Sequence, residues 1–108
     1  METNLEITVL LDFYGELLTE KQVRALTFYY DEDCSLSEIA EDMCVSRQGA
    51  RDFIKRGEAQ LYEFEQKLGL VARFAKISRA IDELLVIAEG ENAPERLRAL
   101  IKEIKDNL

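Results

Sequence analysis

The sequence predicts an all-α fold, a helix-turn-helix bundle whose long recognition helix continues into C-terminal packing helices. Three observations carry that expectation. Strong helix formers dominate the 108 residues, with one proline and five glycines as interruptions. Thr19 with Gln22 and Ser35 with Glu38 are capping boxes, in which a hydroxyl and a side-chain oxygen reciprocally satisfy backbone N–H groups at a helix start. Apolar residues recur at helical spacing along almost the whole chain.

The first helix is expected over about 5–18, with Ile7, Leu10, Leu11, Tyr14, Leu17 and Leu18 on one face. Thr19 then caps a second helix whose buried face is Val23, Leu26 and Tyr30. Phe28 and Tyr29 widen that stripe and make the helix central, and the acidic residues around Asp31 end it.

Residues 35–56, SLSEIAEDMCVSRQGARDFIKR, have the layout of a helix-turn-helix. Ser35 starts its first helix, on which Leu36, Ile39, Ala40 and Met43 share a face. Ser46 restarts the chain after Cys44 and Val45, and Val45, Ala50 and Phe53 give the inner side of the second helix. From Ala50 a row of Ile54, Gly57, Leu61, Phe64 and Leu68 alternates spacings of four and three residues, a heptad seam that carries this helix to about Leu68 before Gly69 stops it.

The next helix, over about 70–89, repeats that spacing through Leu70, Phe74, Ile77, Ile81, Leu84 and Ala88 and ends at Gly90. Asn92 and Pro94 begin a short last helix, with Leu97, Leu100, Ile101, Ile104 and Leu108 facing inward. One domain over 1–108 is expected, with 1–58 as the helix-turn-helix core and 59–108 as a helical extension for oligomerisation. The two seams supply more apolar surface than one short closing helix covers. A homodimer through Leu61, Phe64, Leu68, Phe74, Ile77 and Ile81 is therefore preferred to purely intramolecular packing.

Charge singles out one helix. Residues 1–45 hold 11 acidic and 2 basic side chains, whereas 46–58 hold Arg47, Arg51, Lys55 and Arg56 against Asp52 and Glu58. The rest of the chain is nearly balanced, and the whole carries −8. Helix-turn-helix proteins lay their second helix in the major groove, with residues near its N-terminus on base edges and flanking cations on phosphates. The candidate nucleic-acid contacts are Ser46, Arg47, Gln48, Arg51, Lys55 and Arg56. The bland reading of the Arg47, Arg51, Lys55 row is a solvated face. Net negative charge opposes approach at long range, but beyond a Debye length of about 8 Å it is largely screened. A second basic row, Arg73, Lys76 and Arg79, either extends the footprint or is a solvated flank.

Other chemistry is poorly supplied. Without histidine there is no His-based triad, dyad or common zinc set. The glycines are isolated, so no phosphate-cradling loop exists, and Asp31, Glu32 and Asp33 lack the ligand alternation of a calcium loop. Neither catalysis nor a cofactor is expected. Cys34 and Cys44 read as reduced, buried or half-buried residues. No stretch approaches the roughly 20 apolar residues of a membrane span, and the N-terminus lacks the basic region of a secretory signal. A cytoplasmic protein without membrane contact is expected.

Taken together, LLDFYGELLTEKQ (10–22), YYDEDCSLSEIAEDMCVSRQ (29–48) and DFIKRGE (52–58) closely resemble the YlxM family of small bacterial helix-turn-helix proteins. The motif is also similar to region 4 of bacterial sigma factors, which implies shared architecture rather than shared promoter recognition. The resemblance implies an accessory or regulatory role in the signal recognition particle pathway, since the family's gene commonly accompanies that of the particle's GTPase. It matches at Ser46, Arg47 and Gln48 and again at Ile54, Lys55 and Arg56, whereas Gly49 and Ala50 are smaller than the usual pair. The implied partners are the particle's RNA or DNA. The rival reading is a protein-interaction module that binds the targeting GTPase or its receptor.

Overall fold

The computed structural model describes residues 4–90 and 94–108, and among them six α-helices and no strand occur. The predicted all-α class and helix-turn-helix arrangement are what the chain adopts. The described residues group into two compact units, 1–69 and 70–108, so the long fourth helix lies wholly in the first.

In the first unit, α1 (Asn4–Tyr14) buries Ile7, Leu10 and Tyr14 at spacings that place them on one face. It ends earlier than its apolar pattern predicts. Gly15–Leu17 tighten into a 3-10 turn closed by the Leu18 N–H to the Gly15 carbonyl at 3.1 Å. The two leucines that the sequence pattern assigns to one face part here. Leu18 is buried, while Leu17 is 57% exposed.

Helix α2 (Glu20–Leu26) has the expected capping box. The Gln22 N–H donates to Thr19 Oγ1 at 3.2 Å and the Thr19 N–H donates to Gln22 Oε1 at 3.0 Å. Leu26 and Ala25 are buried, Val23 half-buried. The helix then widens into a π turn, Thr27–Asp31, and Thr8 Oγ1 ties α1 to its end by donating to Asp31 Oδ1 at 3.1 Å. Asp33, with φ 52, completes the change of direction.

Helix α3 (Leu36–Met43) starts at the Ser35–Glu38 box. The Ser35 backbone N–H, then its hydroxyl, hold the Glu38 carboxyl below the usual carboxylate range. The helix ends in a Schellman turn: Val45 N–H reaches the Ala40 carbonyl at 3.0 Å and Cys44 N–H the Glu41 carbonyl at 3.3 Å. Cys44 takes the left-handed position there, with φ 56. A residue at such a corner sits at the surface, so Cys44 is exposed, contrary to expectation, while Cys34 is half-buried and both thiols are free.

Helix α4 (Arg47–Leu68) runs its predicted length, from the Ser46 cap to Gly69 at φ 63. It packs against α1, α2 and α3 through Ala50, Ile54, Gly57, Glu58 and Leu61. Gly57 is the close approach: a Cβ there would lie 2.7 Å from Leu26 Cδ1 and 3.3 Å from its Cγ. Three tyrosines fasten the rest of the helix. Tyr14 donates to Glu65 at 2.5 Å, Tyr62 to Glu6 at 2.8 Å, and Tyr30 to the buried Glu58. That last bond makes the burial of Glu58 tenable, because a carboxylate out of water needs a donor.

The second unit pairs α5 (Leu70–Gly90) with α6 (Glu95–Asp106), which starts at Pro94. Asn92, expected beside it, lies outside the described residues. The core of this unit is Ile81, Ala88 and Ile101, with Leu85 packed against them. The expected inward face of α6 is corrected here: only Ile101 is buried, and Leu97, Leu100, Ile104 and Leu108 are 42–55% exposed. Leu84 of the predicted α5 seam is likewise exposed, and Leu85 replaces it. Two helices can bury only one stripe each, so the remaining apolar surface stays open.

Candidate nucleic-acid interface

The site is built on the first three turns of α4, and the turn before it decides how that helix is presented. Ser46 has extended backbone angles and accepts the Gly49 N–H on its Oγ at 2.9 Å. Its hydroxyl is thereby committed to capping, and the role left to Ser46 is to orient the helix start. No acidic residue occupies the first turn of α4, so the positive end of the helix dipole is not offset locally.

Arg47, Arg51 and Lys55 follow at four-residue intervals and Arg56 flanks them; all four are exposed. Successive i+4 positions on a helix drift by only about 40°, so the row faces one side over about 12 Å of axis. Among the described residues none of these four cations has a hydrogen bond or ion pair with a protein group. Arg24 differs, because Asp42 binds it at 2.9 Å.

Gln48 is exposed on the same face, but its Nε2 donates to Asp52 Oδ1 at 3.2 Å. Reading a base edge would require that bond to break, which lowers its contribution relative to the arginines. The Gln48–Asp52 pair was readable from its i, i+4 spacing. Burial of Glu58 was not, since its tyrosine partner lies far away in sequence. With Glu58 turned inward, the exposed face carries the four cations against Asp52 alone.

Two recesses mark the surface. Leu36, Arg47, Gln48 and Arg51 line one of about 320 Å3 where α3 and α4 begin, and Gly49, Asp52, Phe53 and Arg56 line one of about 210 Å3. The sequence pattern missed Leu36 and Phe53 as part of this surface, because both sit on apolar stripes and are half-buried. A shallow basic surface with apolar footings suits a sugar-phosphate backbone better than a small molecule. Among the described residues no cluster of potential metal ligands occurs, and no helix is long and apolar enough to cross a membrane.

The residues expected to form a dimer seam divide. Leu61 and Ile81 are 0% and 6% exposed within their own units and offer no free surface. Phe64 is half-buried, its ring 6.0 Å from that of Tyr14. Leu68, Phe74 and Ile77 are exposed at 36–49%.

Comparison with known sequences adds to this geometry. The family model described as "Putative helix-turn-helix protein, YlxM / p13 like" matches residues 1–106. A UPF0122 protein of Halalkalibacterium halodurans is 43% identical over 104 residues, covering 96% of this chain and 95% of the relative. One from Clostridium perfringens strain 13 is 43% identical over 104 residues, 95% and 93% of the two chains. One from Thermoanaerobacter sp. strain X514 is 46% identical over 104 residues, 93% and 88% of the two.

Proposed function

The chain belongs to the YlxM/p13-like family of helix-turn-helix proteins, and on that premise we propose that it is a cytoplasmic, non-enzymatic nucleic-acid-binding accessory protein of the signal recognition particle pathway. Its ligand is the particle's RNA or duplex DNA, held by Arg47, Arg51, Lys55 and Arg56, with Gln48 beside them. The observation that carries this reading is that four exposed cations on one capped helix have no carboxylate partner among the described residues, in a chain of net charge −8. On A-form RNA the contacts fall on backbone and groove shape, because the deep groove does not admit a helix.

Titration of the particle RNA and of a random duplex against salt tests this. Four phosphate contacts give a log–log slope of about −3 to −4, so affinity falls roughly a hundredfold between about 50 and 200 mM salt. Undetectable binding of both nucleic acids at the lower salt would reject the reading and leave the protein-interaction module on the same scaffold.

We also propose that a second copy covers the open face of the 70–108 unit. Leu84, Ile87, Leu97, Leu100 and Ile104 are 42–57% exposed, and the four-residue core of Ile81, Leu85, Ala88 and Ile101 is small for two helices. Leu100→Glu with Ile104→Glu is expected to convert the dimer to a monomer in light scattering while circular dichroism keeps its helical signal. A wild-type monomer at micromolar concentration would overturn the proposal.

A further inference from the structure

A groove of about 750 Å3 lies in the first unit, lined by the last turns of α1, the 3-10 turn and the start of α2. Leu11, Leu18 and Val23 give it an apolar floor, and Gly15 keeps the wall between them low. Asp12, Glu16 and Glu20 stand on it as well, all three exposed. None of them is bound to a cation or a donor among the described residues. Arg24, the one cation lining the groove, is already held by Asp42 at 2.9 Å and sits 5.6 Å from the centre of the Phe28 ring.

We propose that this groove docks a basic amphipathic helix of a partner protein. Three unpaired carboxylates beside an apolar floor repel a nucleic-acid backbone and attract lysine and arginine. Asp12, Glu16 and Glu20 line one groove as like charges, and a cationic partner relieves their mutual repulsion. The dimensions point the same way. The groove is too open to enclose a small ligand, and no buried side-chain polar atom among the described residues is left without a partner to orient one. Apolar anchors at i, i+3 or i+4 and i+7 on a helix would reach the floor at Leu11, Leu18 and Val23, while flanking cations meet the carboxylates. The site uses no residue of the α4 basic face, so it does not depend on the nucleic-acid reading.

The test is fluorescence anisotropy of the full chain with three labelled synthetic peptides. One carries leucine at i, i+3, i+4 and i+7 with lysine elsewhere; one has glutamate in place of lysine; one has the leucines and lysines scrambled. The amphipathic lysine peptide is expected to bind at least about tenfold more tightly than either control. Asp12→Lys with Glu16→Lys is expected to weaken it by at least about tenfold, because two attractions become repulsions. Glu103→Lys with Asp106→Lys makes the same change in net charge on α6 and should leave binding unchanged, as should Arg47→Glu with Arg51→Glu. Absence of binding, equal binding of the scrambled peptide, or equal weakening by the α6 pair would overturn the proposal.

Discussion

Replacing Leu61 with alanine is expected to lower the stability of the 1–69 unit by about 2–5 kcal/mol, and replacing it with glutamate to unfold that unit. Leu61 is fully buried on α4, the helix that packs against α1, α2 and α3, so its truncation leaves a cavity in the core of this unit. Each kcal/mol lost lowers the melting temperature by about 4–8 °C in a unit of this size. The glutamate variant puts a carboxylate where the core holds an apolar side chain, whereas the buried Glu58 has Tyr30 as its donor. Small domains hold only about 5–15 kcal/mol in total, so that burden suffices for unfolding. Thermal melts followed by circular dichroism provide the check. A loss under about 1 kcal/mol accompanied by dissociation of a dimer would instead place Leu61 at an interface between copies.

The position of Leu61 shows what a heptad seam does and does not specify. Spacing identified the face of α4 that avoids water, and the caps at Thr19, Ser35 and Ser46 with the stop at Gly69 located helix ends to within a residue or two. Such signals are local, as both partners of each cap lie within one turn. Spacing does not say which neighbour covers a stripe. The same alternation that runs through Ile54 and Leu61 also runs through Leu84, and helical spacing likewise turned Leu97 inward, yet the latter two remain exposed. Their unit has only one other helix to lean on. Local changes of pitch escaped for a different reason. The 3-10 turn at Gly15 falls inside an apolar stripe that spacing alone reads as continuous, because residues 15–17 carry no cap or stop signal of their own. At the candidate site, the basic row and its cap were legible. The inward turn of Glu58 was not, because it rests on Tyr30, 28 positions earlier.

Reversing Arg47 and Arg51 to glutamate separates nucleic-acid binding from folding. Both side chains are exposed and have no internal partner among the described residues, so their loss removes no packing or hydrogen bond from the protein. Arg47 opens α4, where a negative charge interacts favourably with the helix dipole by about 0.3–1 kcal/mol, so the melting temperature should hold or rise slightly. Binding should respond very differently. Two phosphate contacts disappear, reducing the magnitude of the salt slope by about 2, and two carboxylates now face the backbone. Affinity for either nucleic acid is expected to fall by more than about a hundredfold at 50 mM salt. Arg96→Glu with Arg98→Glu, on α6, makes the same change in net charge and controls for it. If the contact is local to the first turns of α4, only the first pair abolishes binding. Equal losses from both pairs would mean that the protein's overall field governs association and that α4 holds no defined footprint.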